Sequence, residues 1–380
     1  MSDRLSVLAV YGTRPEAIKV APVVAALRRR PERCTVTVCT TGQHRETLAE
    51  IVEQLGLVAD VDLALMRRDQ GLNELAASVL SGVDRLLVEL DPDWVLVQGD
   101  TTTAMAAGLA AFHRRIRVGH IEAGLRTGDL AAPFPEEANR LVVDLFASAH
   151  FAPSERAVAT LRREGHDRSV HLVGNSVVDA LHKISAGLPE PPPGPAEVLV
   201  TMHRRESFGA PLRAVLGALR ELAAEFPDVH WVYPVHPNPN VAVPVFAELS
   251  GTPNFELLPP LDYRGLVERL RRCRFTLTDS GGIQEEAPAF GKPVLVLRDT
   301  TERPEGIDAG VARLVGTDRV RIVAAARELL TSPLAYAAMS RAVNPYGDGR
   351  AGERIAAILT GEAWTPFAPP GHVPRSVDAL

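Results

Sequence analysis

The sequence has few cysteines, no long apolar run and no excess of positive charge. Three cysteines among 380 residues cannot form a disulfide framework, and they suit a reducing compartment. No apolar run approaches the ~18 residues that a membrane-spanning helix needs, and the N-terminus shows no signal-peptide pattern. A net charge of −6 argues against a broad nucleic-acid-binding surface. These features predict a cytoplasmic protein with no membrane or nucleic-acid partner.

The cysteines do not indicate a metal site. Cys34 and Cys39 are five residues apart on one predicted strand, so their side chains should face opposite sides of it. Cys273 is remote in sequence. We therefore expect no metal ion to be held by these three residues.

The sequence does contain a regular alternation of strand-like apolar runs and helix-like segments. The ten runs are 5–10, 34–40, 93–99, 117–121, 170–174, 198–202, 229–235, 255–260, 275–279 and 292–297. This alternation is typical of a parallel sheet covered by helices on both faces. A proline cluster, PEPPPGPAE, interrupts it because prolines continue neither a helix nor a central strand. We therefore predict an α/β protein with two doubly wound Rossmann-like domains and a cleft between them. The predicted divisions are a first domain over residues 1–188, a linker over 189–197, a second domain over 198–348, a C-terminal helix over 349–363 that returns to the first domain, and an extended or disordered tail over 364–380.

Carboxylates follow the predicted strands at points where a ligand site is expected. Ligands of open parallel sheets bind beyond the carboxyl ends of the strands. The run in WVLVQGD ends at Asp100, and the run in RVGHIEAG ends at Glu122. In PFPEEANR, Glu136 lies in the first turn of a predicted helix. Each carboxylate either faces a ligand or caps a helix, and position alone leaves both possibilities open.

Cations and glycines follow other strands. In GTRPEAIK, Arg14 and Lys19 lie near a predicted helix N-terminus, which indicates an anionic partner unless they are ordinary surface charges. In TDSGGIQEE, two glycines can bring free amides close to a diphosphate, or they can form a plain turn. One of the two glutamates that follow could accept hydrogen bonds from ribose hydroxyls. His203, in MHRRESFG, is either an acid, base or phosphate donor or an ordinary loop residue.

Taken in order, these stretches resemble the non-hydrolysing UDP-N-acetylglucosamine 2-epimerases of bacteria. The resemblance runs from residue 12 to residue 348, and its motifs are GTRPEAIK, TGQHRETL, GDTTT, GHIEAGLRTGD, PFPEEANR, GNSVVDAL, HRRESFG, VYPVHPNPNV, TDSGGIQEEAP, RDTTERPE and NPYGDG. It implies the two-domain fold of GT-B glycosyltransferases. It also implies interconversion of UDP-N-acetylglucosamine and UDP-N-acetylmannosamine through 2-acetamidoglucal, without nicotinamide or metal, in a homodimer.

The resemblance also assigns roles to residues. Asp100, Glu122 and Glu136 match the family's essential carboxylates, and His203 matches a histidine that contacts the diphosphate. The binding residues that it implies are Arg14 and Lys19 for the sugar or nucleotide, Ser280, Gly281 and Gly282 for the diphosphate, Glu286 for the ribose, Arg303 for the sugar phosphate, and Leu261 and Leu266 for uracil.

Several positions depart from the family pattern. Leu266 stands where some members carry an aromatic residue, and Gln98 replaces a commoner histidine, so Gln98 could alter the hydrogen bonding of Asp100. Many members also bind a second substrate molecule as an activator. The matching residues here are Gln43, His44, Glu46, Asp69 and His236. Because Glu46 and Asp69 stand where glutamine and arginine are common, a diphosphate would meet added negative charge. We expect substrate activation to be weak or absent.

Three other functions remain open. A GT-B glycosyltransferase shares the fold and a nucleotide-sugar site, but it does not need three carboxylates in its first domain. A hydrolysing epimerase would release N-acetylmannosamine and UDP. A nucleotide-sugar sensor would bind without turnover, which fits poorly with the full set of site residues.

Overall fold

The computed structural model describes residues 4–42, 53–65, 67 and 70–369. The described chain forms two compact units. The first comprises the chain up to Ile184 together with Gly347–Phe367, and the second is built on Ser185–Tyr346. The chain thus passes between the units at 184–185 and 346–347, where the sequence predicted 188 and 348. Glu197, which was assigned to the linker, begins a strand instead.

The first unit contains a seven-stranded parallel sheet in the order β3-β2-β1-β4-β5-β6-β7. Its strands are β1 (Leu5–Tyr11), β2 (Cys34–Thr40), β3 (Val61–Asp62), β4 (Trp94–Gln98), β5 (Arg117–Ile121), β6 (Ala149–Ala152) and β7 (Val170–Leu172). Its described helices are α1 (Arg14–Arg28), α2 (Leu72–Leu90), α3 (Thr102–His113), α4 (Glu136–Phe146), α5 (Glu155–Arg163) and α6 (Ser176–Ala186). The order reverses at β1 and β4, so the ends of these strands form a topological switch point.

The second unit contains a six-stranded parallel sheet in the order β10-β9-β8-β11-β12-β13. Its strands are β8 (Glu197–Thr201), β9 (His230–Pro234), β10 (Phe255–Leu258), β11 (Phe275–Thr278), β12 (Val294–Val296) and β13 (Ala312–Leu314). Its helices are α7 (Ala210–Glu225), α8 (Pro239–Leu249), α9 (Tyr263–Arg272), α10 (Gly281–Glu286), α11 (Pro304–Asp308), α12 (Arg319–Thr331) and α13 (Pro333–Ser340). The predicted α/β class with two doubly wound units is confirmed.

Both sheets are buried on their two faces, which explains the continuous apolar runs in the sequence. All five residues of β4 are buried, as are all four of β11. The core of the second unit is built around Trp231, Tyr233 and Phe275. Parallel strands covered by helices on both sides have no solvent face, so they show no alternation of polar and apolar residues.

The C-terminal helix α14 (Ala351–Leu359) packs against α1 in the first unit. The two backbones approach closely at Gly352, where a β-carbon would lie 2.7 Å from the Pro22 carbonyl oxygen. Asp179 on α6 accepts hydrogen bonds from the N–H groups of Ala351 (3.1 Å) and Gly352 (2.8 Å). These contacts fasten the returning chain to the first unit.

The start of the segment predicted as a tail also packs on the first unit. The N–H of Phe367 donates to the Leu172 carbonyl (3.0 Å), and the Phe367 side chain is buried. The Trp364 ring meets the His171 ring edge-on at 5.6 Å. Across the described residues, no helix is long and apolar enough to cross a membrane.

Candidate functional site

Glu122 is held in an unusual backbone conformation at the end of β5. Its φ is +68°, a region that favours glycine, and its N–H donates to the Phe151 carbonyl (3.0 Å). The Glu122 carboxylate lies 2.5 Å from the Lys19 ammonium and also accepts a hydrogen bond from the Gln98 amide. Lys19 therefore pairs with a candidate catalytic group. The prediction that Gln98 would act on Asp100 is wrong, because its amide bonds to Glu122.

Asp100 follows β4 and is held by α4. Its carboxylate pairs with the guanidinium of Arg140, and its backbone carbonyl accepts a hydrogen bond from the Asn139 amide (2.9 Å). The helix cap that the sequence left open is made by the neighbouring Thr101, whose hydroxyl accepts from the Ala104 N–H (3.0 Å). Thr101, and not Asp100, therefore caps the N-terminus of α3.

Two adjacent glutamates begin α4 and have different environments. Glu137 is buried, accepts hydrogen bonds from the N–H groups of Thr127 (3.0 Å) and Gly128 (2.9 Å), and lies 3.3 Å from Arg140. Glu136 is only partly buried, and no side chain in the described ranges forms a hydrogen bond or ion pair with its carboxylate. The structural role that the sequence allowed for Glu136 belongs to Glu137.

The turn before α1 places Arg14 at the first position of the helix. Thr13 and Glu16 form a capping box, in which the Glu16 carboxylate accepts from the Thr13 N–H (2.7 Å). Burial raises the pKa of Glu16, and the hydrogen bonds that it accepts oppose this rise. Gly12 is required by close packing, since a β-carbon there would lie 2.5 Å from the Thr103 hydroxyl.

In the second unit, a buried aspartate holds the loop that carries His203. Asp279, at the end of β11, accepts hydrogen bonds from the N–H groups of His203 (3.0 Å) and Arg204 (3.0 Å) and from the Ser207 hydroxyl (3.1 Å). The His203 Nδ1 atom lies 3.3 Å from the same carboxylate. The motif TDSGG at 278–282 therefore contains an aspartate that holds the loop carrying His203.

Burial lowers the pKa of His203. The negative charge of Asp279 opposes this effect, whereas Arg204, His236 and Arg298 lower the pKa further. His203 is consequently neutral at neutral pH, and the Asp279 carboxylate favours the ring hydrogen on Nδ1. The His236 ring stacks beside it, with 6.1 Å between the ring centroids.

The glycines after Ser280 leave open space at the end of β11. Neither glycine has a positive φ. A β-carbon on Gly281 would lie 3.7 Å from the nearest Arg204 nitrogen, and one on Gly282 would lie 3.8 Å from the Ser280 hydroxyl. Backbone conformation and internal packing therefore do not require glycine at either position, which points to a demand from outside the chain.

Arg303 is tied to the helix that carries the predicted ribose contact. Its guanidinium pairs with the buried carboxylate of Glu285, and its carbonyl accepts from the Tyr346 hydroxyl (3.2 Å). Glu286, the next residue on α10, is also buried. The structure thus separates two glutamates that the sequence left interchangeable, because Glu285 anchors Arg303.

The other residues predicted from the sequence are two leucines, the activator residues and the cysteines. Leu261 and Leu266 are partly buried, and Leu266 packs against the core of the second unit. Of the activator residues, His236 is exposed, and Gln43, His44, Glu46 and Asp69 lie outside the described residues. Cys34, Cys39 and Cys273 are buried free thiols. No cluster of three potential metal ligands occurs in the part of the chain that the structure describes.

Sequence reasoning missed a buried network beneath the first-unit site. His120 on β5, Asp144 on α4 and Arg126 are joined by direct contacts. The only signal in the sequence is a histidine within an apolar run, and that alone does not distinguish a network from a lone buried residue.

Comparison with known proteins places these residues in a family. The sequence profile described as UDP-N-acetylglucosamine 2-epimerase matches residues 25–360. The chain is 48% identical over 370 residues to the UDP-N-acetylglucosamine 2-epimerase of Escherichia coli K12, covering 93% of this chain and 98% of that protein.

Two solved structures are similar throughout. The UDP-N-acetylglucosamine 2-epimerase of Neisseria meningitidis, bound to UDP-N-acetylglucosamine, is 41% identical with a TM-score of 0.87, covering 94% of this chain and 100% of that one. A Staphylococcus aureus protein in complex with UDP is 38% identical with a TM-score of 0.88, covering 96% and 100% of the two chains.

Proposed function

The chain belongs to the UDP-N-acetylglucosamine 2-epimerase family, and on this premise we propose that it interconverts UDP-N-acetylglucosamine and UDP-N-acetylmannosamine. A base removes the proton on sugar carbon 2, the bond between carbon 1 and UDP breaks, and the electron pair forms the double bond of 2-acetamidoglucal. A proton then returns to the opposite face of carbon 2, and a diphosphate oxygen attacks carbon 1. The steps transfer protons and UDP only, so they need no oxidant or reductant.

The observation that carries this proposal is the set of three carboxylates in the first unit. Asp100 and Glu122 follow adjacent parallel strands, and Glu136 begins the helix whose Arg140 pairs with Asp100. A reaction that removes a proton from one face and returns it to the other needs at least two acid–base groups. We propose that these carboxylates, together with Arg14 and Lys19, act on the sugar end of the substrate.

We propose that the second unit binds the nucleotide. Breaking the anomeric bond builds negative charge on the diphosphate, which N–H donors and cations stabilise. His203 contacts the diphosphate, the space at Gly281 and Gly282 admits the phosphates, and Arg303 supplies a cation. Glu286 then receives the ribose, and Leu261 and Leu266 receive uracil.

Incubation with UDP-N-acetylglucosamine alone tests the reaction. Proton NMR of the anomeric region should show UDP-N-acetylmannosamine, and in deuterated water the product should carry deuterium at carbon 2. Release of free N-acetylmannosamine and UDP would show a hydrolysing epimerase, and no conversion would favour a glycosyltransferase or a sensor. Either outcome would overturn the proposal.

Variants test the three carboxylates. Asp100→Asn, Glu122→Gln and Glu136→Gln should each lower kcat by at least ~100-fold, the low end of general acid–base contributions. Asp167→Asn removes an exposed carboxylate of the same unit and should retain full activity. Wild-type turnover in any of the three variants would exclude that residue from the proton transfers.

We also propose a homodimer that pairs through α3 and α4. Phe112 and Leu145 are 52% and 78% exposed on these neighbouring helices, and the Phe112 ring stacks on Phe146 at 5.6 Å. Such an adjacent apolar group is typical of a protein interface. Leu145→Glu should convert dimers to monomers in light scattering. Leu334→Glu, which alters an 85% exposed leucine of the second unit, should not. A monomeric wild-type protein would contradict the proposal.

We propose that activation by substrate is weak, because Glu46 and Asp69 place negative charge where a second diphosphate would bind. Pure UDP-N-acetylmannosamine should therefore react without a lag. A lag that a trace of UDP-N-acetylglucosamine removes would contradict this. We also propose a cytoplasmic location, in keeping with three free thiols.

A further inference from the structure

The two ring nitrogens of His120 both face hydrogen-bond acceptors. The residue lies on β5 and is completely buried. Its Nε2 atom is 2.8 Å from the Gly99 carbonyl oxygen, and its Nδ1 atom is 2.6 Å from the Asp144 carboxylate. A carbonyl oxygen can only accept, so Nε2 must carry a hydrogen. The contact at Nδ1 also requires a proton, which belongs either to the ring or to the carboxyl group.

The surroundings of Asp144 place this proton on the ring. The other carboxylate oxygen accepts hydrogen bonds from the Arg126 guanidinium (2.7 Å) and the Gly124 N–H (3.3 Å). These two donors favour an ionised Asp144, so the proton of the 2.6 Å contact belongs to the ring and His120 donates from both nitrogens.

Among the described residues, the other charged groups near this pair are consistent with the assignment. His150 on β6 lies 3.8 Å from the Asp144 carboxylate, but its Nε2–H donates to the Asp144 backbone carbonyl (2.9 Å). Burial lowers the pKa of His150, so its ring is neutral at neutral pH. On the outer side, Glu164 pairs with Arg126 at 2.7 Å and balances its charge.

The pair connects the turns that carry two of the proposed catalytic carboxylates. Gly99 immediately precedes Asp100, and Gly124 lies two residues after Glu122. Glu122 has a φ of +68°, which is unfavourable for a residue other than glycine, so its turn needs support from outside. Asp144 supplies that support from α4, the helix that begins at Glu136.

We propose that His120 donates a hydrogen bond from both of its ring nitrogens and is the positioning residue that sets the turns carrying Asp100 and Glu122. It touches neither carboxylate and acts through Gly99 and Asp144. Its catalytic importance rests on the proposed epimerase function, whereas its protonation state does not.

NMR of the wild-type protein tests the protonation state directly. With 15N-labelled histidine, the His120 ring should show hydrogens on both nitrogens at neutral pH, whereas a neutral ring carries a hydrogen on only one. A His120 ring with one unprotonated nitrogen would overturn the proposal, whatever the enzyme's activity. Because the experiment uses the wild-type chain, it does not depend on the folding of a variant.

Two matched variants test positioning. His120→Asn keeps a donor near the Nδ1 position and loses the bond to Gly99, whereas His120→Gln keeps a donor near Nε2 and loses the bond to Asp144. Both should lower kcat by up to ~100-fold, as a displacement of about 1 Å can do, while KM changes less than about twofold. UDP titration counts the intact sites, and His113→Asn is the control.

A purely structural role would reduce the number of UDP-binding sites and leave kcat per site unchanged. That result, or full activity in both variants, would overturn the positioning role. If the wild-type protein does not convert UDP-N-acetylglucosamine, the proposed function fails, and the NMR result still decides the state of His120.

Discussion

Replacing Asp279 with asparagine should loosen the loop that carries His203. Asp279 is completely buried, and both of its oxygens accept hydrogen bonds from this loop. Asparagine has nearly the same shape, but one acceptor oxygen becomes an NH2 donor. Whichever way the amide is turned, at least one donor of the loop faces another donor.

The contacts set the size of the effect. With its oxygen toward the Arg204 N–H and the Ser207 hydroxyl, the new amide keeps both hydrogen bonds and the 3.1 Å contact with the His203 N–H, but it turns its NH2 group toward the His203 N–H at 3.0 Å. Loss of that hydrogen bond, and the weakening of the others as a charged acceptor becomes neutral, together cost about 3 kcal/mol. For a unit of roughly 160 residues, this corresponds to a fall in Tm of about 6–12 °C.

Calorimetry measures both consequences. Differential scanning should show the lower Tm of the second unit, and titration with UDP should show an affinity at least about tenfold lower, which equals about 1.4 kcal/mol. Asp228→Asn, which changes an exposed aspartate of the same unit, should leave both values unchanged.

An unchanged Tm in the Asp279 variant would refute the reasoning, because the buried hydrogen bonds would then contribute nothing measurable. A lower Tm with unaltered UDP affinity would also count against it, since it would show that nucleotide binding does not depend on the position of His203.

The other predictions concern single features of the fold. Thr13→Ala removes the cap of α1 and should lower the free energy of unfolding by about 1 kcal/mol in urea titrations; no change would show that the cap is replaced. Gly281→Ala and Gly282→Ala should leave Tm unchanged or higher, because a β-carbon fits at 3.7 and 3.8 Å from its neighbours, yet weaken UDP binding in calorimetry; unaltered binding would contradict a phosphate contact there. Burial raises the pKa of Asp179 to about 6, although two backbone N–H groups oppose the rise. Between the ordinary pKa of an aspartate and this value, the folded state keeps a proton that the unfolded state has lost. The contribution of Asp179 to the free energy of unfolding is therefore full below about pH 4 and disappears as the pH rises through 6. Asp179→Asn should reduce the fall in unfolding free energy between pH 4 and 7 by about 2 kcal/mol, and an identical pH profile would contradict this.

The sequence by itself determined the class of fold and the places where chemistry is expected. Long apolar runs between helical segments specify buried parallel strands, and ten such runs coincide in position with strands of the two sheets. The edge strand β3, the strand β13 and the interior strand β6 were not predicted. They have only two to four residues each, and AHFA in β6 lacks the β-branched residues that mark a strand.

Contacts between side chains that are far apart in sequence became known only from the tertiary structure. The sequence indicated Glu122 as a site residue, but it did not predict the contacts of Glu122 with Lys19 and Gln98, which lie 103 and 24 residues away. Likewise, the pattern of residues alone did not show that Glu137 contacts the N–H groups of Thr127 and Gly128, or that Glu285 pairs with Arg303. Adjacent helical residues point in directions about 100° apart, and only the packed neighbours show what each one contacts.

The buried network around His120 is another set of contacts that the sequence does not show. A histidine in an apolar strand is compatible with many environments, and its protonation depends on which atoms lie within hydrogen-bonding distance. Local sequence determines strands, turns and caps because those interactions join residues a few positions apart. Ion pairs and protonation states depend on side chains that meet only when the chain has folded, so the structure alone assigns them.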